Sequence, residues 1–175
     1  MADREPVEVK NLDIYGNDAL PWSRAHDLLA NSPAGPDLAF FLGTAQPDGR
    51  PHAARVGAIW YDDDLYFTSG PETRKSRNLA ANPACTISVS LKGLDLVLEG
   101  EAKRITDKSR LEALAELYRG AGSGWPVEVK ADAFTAPFSA PSAGKPPWYV
   151  YHFTIHTAVG VATAEPNGAT RWRFA

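Results

Sequence analysis

The chain has 175 residues, of which 44% are hydrophobic and 22% are charged, values typical of a folded globular domain rather than a disordered segment. Its 18 Lys and Arg residues against 21 Asp and Glu residues give a net charge of −3, which excludes the broad basic surface of a duplex-DNA-binding protein. The single cysteine, Cys85, excludes an internal disulfide and a cysteine-rich zinc site. Because the chain has neither a bilayer-length apolar run nor a signal-peptide pattern, we expect a cytoplasmic protein without membrane or nucleic-acid partners.

The N-terminal part divides into an arm and the start of a domain. Residues 1–20 are polar and aperiodic, which predicts an arm that needs a partner surface to become ordered. Residues 21–175 are predicted to form one domain. Its first element, Pro21–Ala30, has its apolar residues at helical spacing and predicts a short amphipathic helix.

A block of short strands follows this helix. Strands are predicted at residues 38–44, 51–60 and 65–68, with turns at Pro47–Gly49 and Asp62–Asp64. The tight connections predict an antiparallel meander rather than βαβ units. The three aspartates of the second turn are expected to be solvated, because no spaced series of calcium ligands follows them.

The second half of the chain mixes helices and longer strands. Thr73 is the predicted N-cap of a helix that reaches residue 80, and a capping box from Ser109 to Glu112 predicts another helix that ends at Gly120. Residues 121–147 are expected to be loop-like. Further strands are predicted at 84–91, 94–105, 148–163 and 170–174. The fold class is therefore mainly β, a six- to seven-stranded antiparallel barrel with a few flanking helices.

The residue types most often used in catalysis are not arranged for it in this sequence. His152 and His156 have the spacing of a helical metal site, but they lie on a predicted strand, where they would stand about 13 Å apart. Cys85 begins an apolar strand without an adjacent base, which favours a core thiol. We therefore predict no metal site and assign no catalytic residue.

One cluster favours an anion. The segment Phe67–Lys75 runs from a strand end through the Gly70–Pro71 turn into a helix N-terminus, where free N–H groups, hydroxyls and two cations can surround a phosphate. Arg74 and Lys75 oppose the helix dipole in its first turn, a cost that a bound anion offsets. A solvated basic helix face is the alternative, and the local sequence does not decide between the two.

A second cation, Arg55, favours the anion site. Strict alternation along its strand places it on one face with Ala53, Gly57 and Ile59, where an arginine needs either solvent or an anion. Gly57 has no side chain and so permits a flat ligand or another backbone to approach. Arg55 and the Arg74–Lys75 pair are therefore expected to converge on one phosphate.

These motifs resemble those of the FMN-binding split barrels of the pyridoxamine 5′-phosphate oxidase superfamily. The resemblance is carried in order by residues 55–60 (RVGAIW), 61–69, 73–79 (TRKSRNL) and Asn82-Pro83, followed by a long strand, 96–105, that contains Gly100. It covers residues 38–120 well and the C-terminal strands more loosely. It implies a split β-barrel and a homodimer in which both chains contact each cofactor.

The resemblance also implies roles for individual residues. It implies that the FMN phosphate is bound by Arg55, Arg74 and Lys75 and that the ribityl chain is lined by Thr68 and Ser69. It also implies that the ring lies beside the backbone of Val56, Gly57 and Ala58 and that Arg171 reaches in from the partner subunit, whereas it leaves the role of Arg173 open. The proline-rich residues 136–147 are expected to cover the cofactor site or the dimer seam.

The sequence departs from the vitamin B6 oxidases of this superfamily. Asp95 replaces a polar amide, Ala162 replaces a tryptophan, and Arg171-Trp172-Arg173 replaces an Arg-x-His-x-Arg segment. We therefore predict an FMN-dependent oxidoreductase that transfers hydride to or from another small organic substrate. The alternatives are a deazaflavin-dependent reductase of the same fold, a non-enzymatic flavin- or haem-related binding module, and a purely structural domain.

Overall fold

A computed structural model describes residues 4–32, 38–120, 124–138 and 143–175. Its helices are α1 (Trp22–Ala30), α2 (Arg74–Ala81) and α3 (Lys108–Gly120). Its strands are β1 (Glu8–Asn11), β2 (Phe40–Ala45), β3 (Pro51–Val56), β4 (Ala58–Tyr61), β5 (Asp64–Ser69), β6 (Ala84–Leu91), β7 (Leu94–Ile105), β8 (Glu128–Lys130), β9 (Ala133–Thr135), β10 (Tyr149–Ala162) and β11 (Ala169–Arg173). In the described ranges no helix has the length and apolar character needed to cross a bilayer.

The main sheet confirms the prediction of a mainly antiparallel β protein. Seven of its strands follow the order β1-β11-β10-β7-β6-β2-β3, and the β4–β5 hairpin joins through the pairing of β5 with β10. The sheet has nine strands, more than the six or seven predicted. Two further strands arise because the arm supplies β1 and because the predicted strand 51–60 divides at Gly57.

The predicted antiparallel pairings of residues 38–44 with 51–60 and of 51–60 with 65–68 are confirmed, but the division at Gly57 separates them into two hairpins. The β2–β3 hairpin pairs with β6, whereas the β4–β5 hairpin pairs with β10, so the sheet opens between β3 and β4. The change of direction also separates two residues that strict alternation places on one face. Arg55 is exposed on β3, whereas Ile59 is buried on β4.

The arm is ordered by its own chain. Strand β1 pairs with β11, and the Leu20 N–H donates to the Thr170 hydroxyl at 2.7 Å. The indole of Trp172 donates in turn to the Leu20 carbonyl oxygen at 3.2 Å. The expectation that the arm needs a partner surface is therefore wrong for residues 4–20, because edge pairing to β11 and burial of Leu20 already hold it.

The apolar side chains form two clusters. The larger one fills the barrel beneath α1, and the second lies between α3, the β8–β9 hairpin and Trp148. The apolar face of α3 (Leu111, Leu114, Ala115 and Tyr118) is buried in the second cluster, but the cap of the helix differs from the prediction. Asp107, rather than Ser109, accepts from the Arg110 N–H at 2.8 Å. The β8–β9 hairpin also corrects the expectation that residues 121–147 form loops only.

The prediction that the turn at Asp62–Asp64 is simply solvated is wrong. Its three carboxylates contact side chains from three other elements: Asp62 with Arg110 at 3.1 Å, Asp63 with His26 at 2.9 Å, and Asp64 with His152 at 2.7 Å. The turn therefore ties α3, α1 and β10 together. Within the described ranges no group of His, Cys, Asp and Glu residues has the arrangement of a metal site.

Candidate functional site

The start of α2 carries a chain of hydroxyl groups. Thr73 is the N-cap, as predicted, and its Oγ1 accepts from the Ser76 N–H at 3.4 Å. The Ser76 hydroxyl donates to Ser69 Oγ at 2.7 Å, Ser69 and Thr73 share a hydrogen bond of 2.8 Å, and Thr73 donates to the Gly70 carbonyl oxygen at 2.8 Å. These bonds hold the turn after β5 in one conformation, so the N–H groups of the first helical turn are preorganised.

The two cations in this turn have different environments. Arg74 is exposed, and its guanidinium donates to Gln46 Oε1 at 3.4 Å on the β2–β3 hairpin. Lys75 points inward and is only 5% exposed. Burial lowers the pKa of Lys75, because desolvation disfavours its charged form. An ammonium buried at the positive end of a helix is a group that a bound anion stabilises.

A buried polar contact that the sequence did not reveal anchors α2 to the sheet. Asn78 donates from Nδ2 to Thr44 Oγ1 at 2.9 Å, and both side chains are buried. Thr44 lies near the end of β2, beside the hairpin that leads into β3. This contact, together with the one from Arg74 to Gln46, places the start of α2 next to the strand that carries Arg55.

The segment predicted to lie beside a flat ring alternates in exposure. Val56 and Ala58 are buried, whereas Gly57 is exposed between β3 and β4. A Cβ added at Gly57 would meet no atom of the described residues within 4 Å, so that part of the chain leaves open space there. From inside, the Tyr118 hydroxyl donates to the Gly57 carbonyl oxygen at 3.3 Å. Nothing in the sequence indicates this contact between α3 and the segment after β3.

The two predicted ribityl-lining residues are buried at the end of β5. Thr68 faces Val150 across the β5–β10 ladder, and Ser69 faces Tyr149. The hydroxyl of Ser69 belongs to the chain of hydroxyls beneath α2. Both residues therefore lie at the same end of the barrel as Lys75.

Arg171 lies far from this cluster in the same chain. It is half-buried on β11, where its Nη2 donates to Glu8 at 3.2 Å, and Arg173 donates to the same carboxylate at 2.9 Å. The hydrogen bond from Arg173, followed by that from Arg171, lowers the pKa of Glu8. Arg171 Nε is buried without a hydrogen-bond partner among the described atoms. The arginine thus retains one donor that its own chain does not use.

The outer face of the sheet connects the two arginines through one cross-strand row. In register, the row reads Arg55, Phe41, Ser88, Val97, Val159 and Arg171. Five strand spacings of about 4.8 Å separate its ends, so the two arginines of one chain are about 24 Å apart along the sheet. They do not reach one phosphate within a single chain.

The middle of this face is apolar and open. Phe41 is 48% exposed and Val97 is 42% exposed, although both stand on central strands of the sheet. They line a groove of about 500 Å³ together with Val159 and Val161. An exposed apolar strip of this kind between two arginines is typical of a surface that another molecule covers.

A family profile matches most of the chain. The profile described as "Pyridoxamine 5′-phosphate oxidase" matches residues 36–145, which include β2 through β9 and the whole start of α2. No curated protein matches the sequence.

Several solved structures share the fold. An F420 reductase is 23% identical with a TM-score of 0.52, covering 76% of this chain and 94% of its own. A FAD-binding protein from Mesorhizobium loti is 17% identical with a TM-score of 0.57, covering 93% and 96%. A pyridoxamine 5′-phosphate oxidase-related, FMN-binding protein from Nostoc punctiforme is 19% identical with a TM-score of 0.57, covering 87% and 90%. At these identities the likeness establishes the fold.

Proposed function

The chain belongs to the pyridoxamine 5′-phosphate oxidase family, and we propose that it is a flavin-dependent oxidoreductase that binds FMN and transfers hydride to or from a small organic substrate. The observation that carries the proposal is the buried Lys75 ammonium in the first turn of α2, beside the N-cap of Thr73. The names of the FMN-binding and FAD-binding structures of the same fold support this cofactor class.

The residues at the start of α2 fit a phosphate group. A phosphate there accepts from N–H groups of the first helical turn and lies beside the Lys75 ammonium, which burial has deprived of water. Arg74 stands at the exposed edge of the same turn. The proposed phosphate contacts are therefore Lys75, Arg74 and, from the neighbouring strand β3, Arg55.

We infer that a homodimer forms through the outer face of the sheet, because this face is complementary to itself. A two-fold axis parallel to the strands, between β6 and β7, brings Phe41 opposite the partner's Val159. The same axis brings Thr86 opposite the partner's Glu99. Apolar groups thus face apolar groups, and a hydroxyl faces a carboxylate, as an isologous interface requires.

The same axis supports a cofactor site shared between chains. It brings Arg55 opposite the partner's Arg171, the one like-charge pair along the row. Two guanidinium groups brought together repel each other, and Glu8 offsets this repulsion only in part because Arg171 shares it with Arg173, so an anion between Arg55 and the partner's Arg171 lowers it further. A phosphate in this position offsets the repulsion and accepts from the otherwise unpartnered Nε of the partner's Arg171.

The reaction proposed for this site divides between cofactor and protein. The bound flavin ring supplies the capacity to accept or donate hydride. The chain orients it: Lys75 and Arg74 hold the phosphate end, and Tyr118 fixes the Gly57 carbonyl, and with it the backbone beside the ring. The apolar dimer face excludes water from the cleft. Because Asp95 and Ala162 depart from the pattern of vitamin B6 oxidases, we do not propose pyridoxamine 5′-phosphate as the substrate.

The decisive experiment is a titration of the purified, cofactor-stripped protein with FMN and with the F420 deazaflavin in competition. We expect FMN to bind, with an affinity that Arg74→Ala lowers about tenfold or more and that Arg50→Ala leaves unchanged. Arg50 is the matched control, because it is an exposed arginine on the neighbouring hairpin that pairs with Asp48. A protein that binds neither cofactor contradicts the proposal.

Two further outcomes distinguish the alternatives. Preferential binding of the deazaflavin identifies a deazaflavin-dependent reductase, which the structural likeness to an F420 reductase favours as the second candidate. Bound flavin that no nicotinamide or deazaflavin donor reduces identifies a binding module without turnover.

The dimer has its own test. Val97→Asp places a charge at the centre of the outer face, where desolvation of a carboxylate is costly, and we expect monomers by light scattering. Val7→Asp is the control, because Val7 is an exposed valine of the arm that lies outside this row. A wild-type protein that stays monomeric at all concentrations contradicts both the dimer and the shared site.

A further inference from the structure

A short loop after β1 exposes two large apolar side chains in a fixed position. Ile14 is 83% exposed and Tyr15 is 85% exposed. The Asp13 carboxylate accepts from the N–H groups of Tyr15 and Asn17, both at 2.8 Å, and Asn11 closes the loop by donating to the Asn17 carbonyl oxygen at 2.9 Å. The loop is therefore ordered before any partner binds, and its two apolar side chains face solvent in the isolated chain.

The loop is fastened to the same outer face that carries Arg171. The Leu12 N–H donates to the Ala169 carbonyl oxygen at 2.8 Å, and Ala169 lies two residues from Arg171 along β11. The loop residues and Val161, which also lines the groove on the outer face, border a common depression. The apolar surface of the groove thus continues into the loop.

The cross-strand register relates this loop to Gly57. Gly57 follows the end of β3, two residues after Arg55, and Ala169 precedes Arg171 by two residues on β11. Because five antiparallel pairings make β3 and β11 run in opposite directions, both residues lie on the same side of the row. A two-fold axis that brings the partner's Arg171 opposite Arg55 therefore brings the partner's Ala169 opposite Gly57. The loop from Leu12 to Asn17 then lies just beyond the edge of β3, where the sheet opens between β3 and β4.

We propose that Ile14 and Tyr15 of each chain form an apolar wall of the flavin cleft of the other chain, over Gly57. The inference rests on the proposed function, because it places the loop in the shared site. Gly57 leaves open space in its own chain, and the wall fills that space from outside. With an isoleucine and a tyrosine as its lining, the cleft selects substrates that present an apolar or aromatic surface to the ring, and each site is incomplete without the second copy.

Cross-linking tests the placement of the loop without relying on activity. The variant that combines Tyr15→Cys with Gly57→Cys is treated with a short bismaleimide. In one chain the strands beside these positions, β1 and β3, lie at opposite ends of the strand order, six spacings of about 4.8 Å apart along the sheet, so we expect a short linker to join the two cysteines only between chains. We expect a covalent dimer on a denaturing gel. The native Cys85 is buried and does not compete.

The matched control combines Val9→Cys with Gly57→Cys. Val9 is 52% exposed on the same arm, but it pairs with Trp172, whose side chain points to the inner face. We expect no covalent dimer from this pair. Equal cross-linking of the two pairs overturns the inference, as does the absence of a cross-link from the first pair in a protein that light scattering shows to be dimeric. A protein that light scattering shows to be monomeric overturns the inference together with the proposed dimer.

Flavin fluorescence gives a second readout. A phenol ring in contact with a flavin quenches its emission by electron transfer, so we expect Tyr15→Leu to brighten bound FMN and to lower its affinity a few-fold. Val9→Leu is expected to change neither. A wild-type protein that binds no flavin contradicts the proposed function, whereas bound flavin of unchanged brightness in Tyr15→Leu contradicts only the placement of Tyr15.

Discussion

Tyr118 donates its hydroxyl to the Gly57 carbonyl oxygen at 3.3 Å and thereby joins the middle of the second apolar cluster to the point at which the sheet opens. The ring is buried, and burial raises the pKa of the phenol, so it remains a neutral donor throughout the physiological range. One hydrogen bond from α3 therefore fixes the backbone on which the proposed ring position depends.

Removal of this donor is expected to weaken both stability and the ring site. Tyr118→Phe keeps the buried ring but leaves the Gly57 carbonyl without this partner, which we expect to lower the free energy of unfolding by about 1 kcal/mol. Urea denaturation measures this change, with the exposed Tyr15→Phe as control. We expect Tyr118→Phe to change the absorption spectrum of bound FMN. An unchanged spectrum would show that this hydrogen bond does not affect the environment of the flavin ring.

Lys75 is expected to make stability depend on pH at the alkaline end. Because burial lowers its pKa below the ordinary value of 10.5, the unfolded chain binds more protons than the folded chain between the lowered pKa and 10.5. Below that window the charged Lys75 destabilises the folded state by its full amount, and this destabilisation disappears as the pH rises through the window. Urea unfolding of wild type and Lys75→Met across this range measures the difference, which we expect to shrink as pH rises.

The same titration has the opposite effect on anion binding. Only the charged ammonium attracts a phosphate, so the affinity for FMN is expected to fall as the pH passes the lowered pKa of Lys75. In Lys75→Met the affinity is expected to be at least tenfold weaker at neutral pH and to lose this pH dependence. An affinity that varies with pH equally in both proteins would assign the dependence to another group.

Arg171 is expected to oppose dimerisation and to favour cofactor binding. Without an anion, Arg171→Ala removes one half of the like-charge pair proposed at the interface, so the dimer should dissociate at a lower concentration than wild type. FMN affinity should fall by about tenfold or more, as for the loss of a charge-assisted hydrogen bond. Arg173→Ala is the control, since its guanidinium is more exposed than that of Arg171 and it pairs with Thr157, outside the cross-strand row that joins Arg171 to Arg55. Sedimentation with and without FMN measures both effects, and equal behaviour of the two variants would contradict the assignment.

Two glycines are expected to respond differently to the same substitution. A Cβ at Gly100 would lie 2.0 Å from the Thr154 carbonyl oxygen of the paired strand β10. The backbone of one of the two strands would have to shift to relieve this clash. We expect Gly100→Ala to cost about 1–3 kcal/mol of stability. Gly57→Ala meets no atom within 4 Å and should leave the stability of the flavin-free protein nearly unchanged. Thermal unfolding of the two variants measures the contrast, and a similar loss in both would show that Gly57 is constrained by its own chain.

Cys85 is expected to be chemically inert in the folded protein. Burial raises the pKa of its thiol to about 12, so almost no thiolate forms at pH 8. Ellman's reagent should react with it slowly in the native protein and at once in guanidinium. Rapid reaction of the native protein would show that the start of β6 opens readily.

The local elements were predictable because their signals are local. Strand-like composition on either side of the Lys92-Gly93 turn predicted the bounds of β6 and β7, and a hydroxyl residue before a helical pattern predicted the Thr73 cap. The residues that carry the family resemblance lie in the same continuous stretch, which is why the fold class and the family followed from the sequence. The exact cap of a helix was harder to predict from the sequence. At the start of α3, both Asp107 and Ser109 have a side-chain oxygen that can accept from the first N–H groups, and the structure uses Asp107.

Relationships between distant segments were decided by the tertiary structure alone. The sequence determined that the chain forms antiparallel strands and that Arg74 and Lys75 follow a helix N-cap, since periodicity, turn chemistry and capping act over a few residues. It did not reveal that β5 pairs with β10, that Lys75 points inward while Arg74 stays exposed, or that Tyr118 supports Gly57. Pairing partners and burial depend on which surfaces meet once the whole chain has packed, and that information is shared among residues far apart in the sequence.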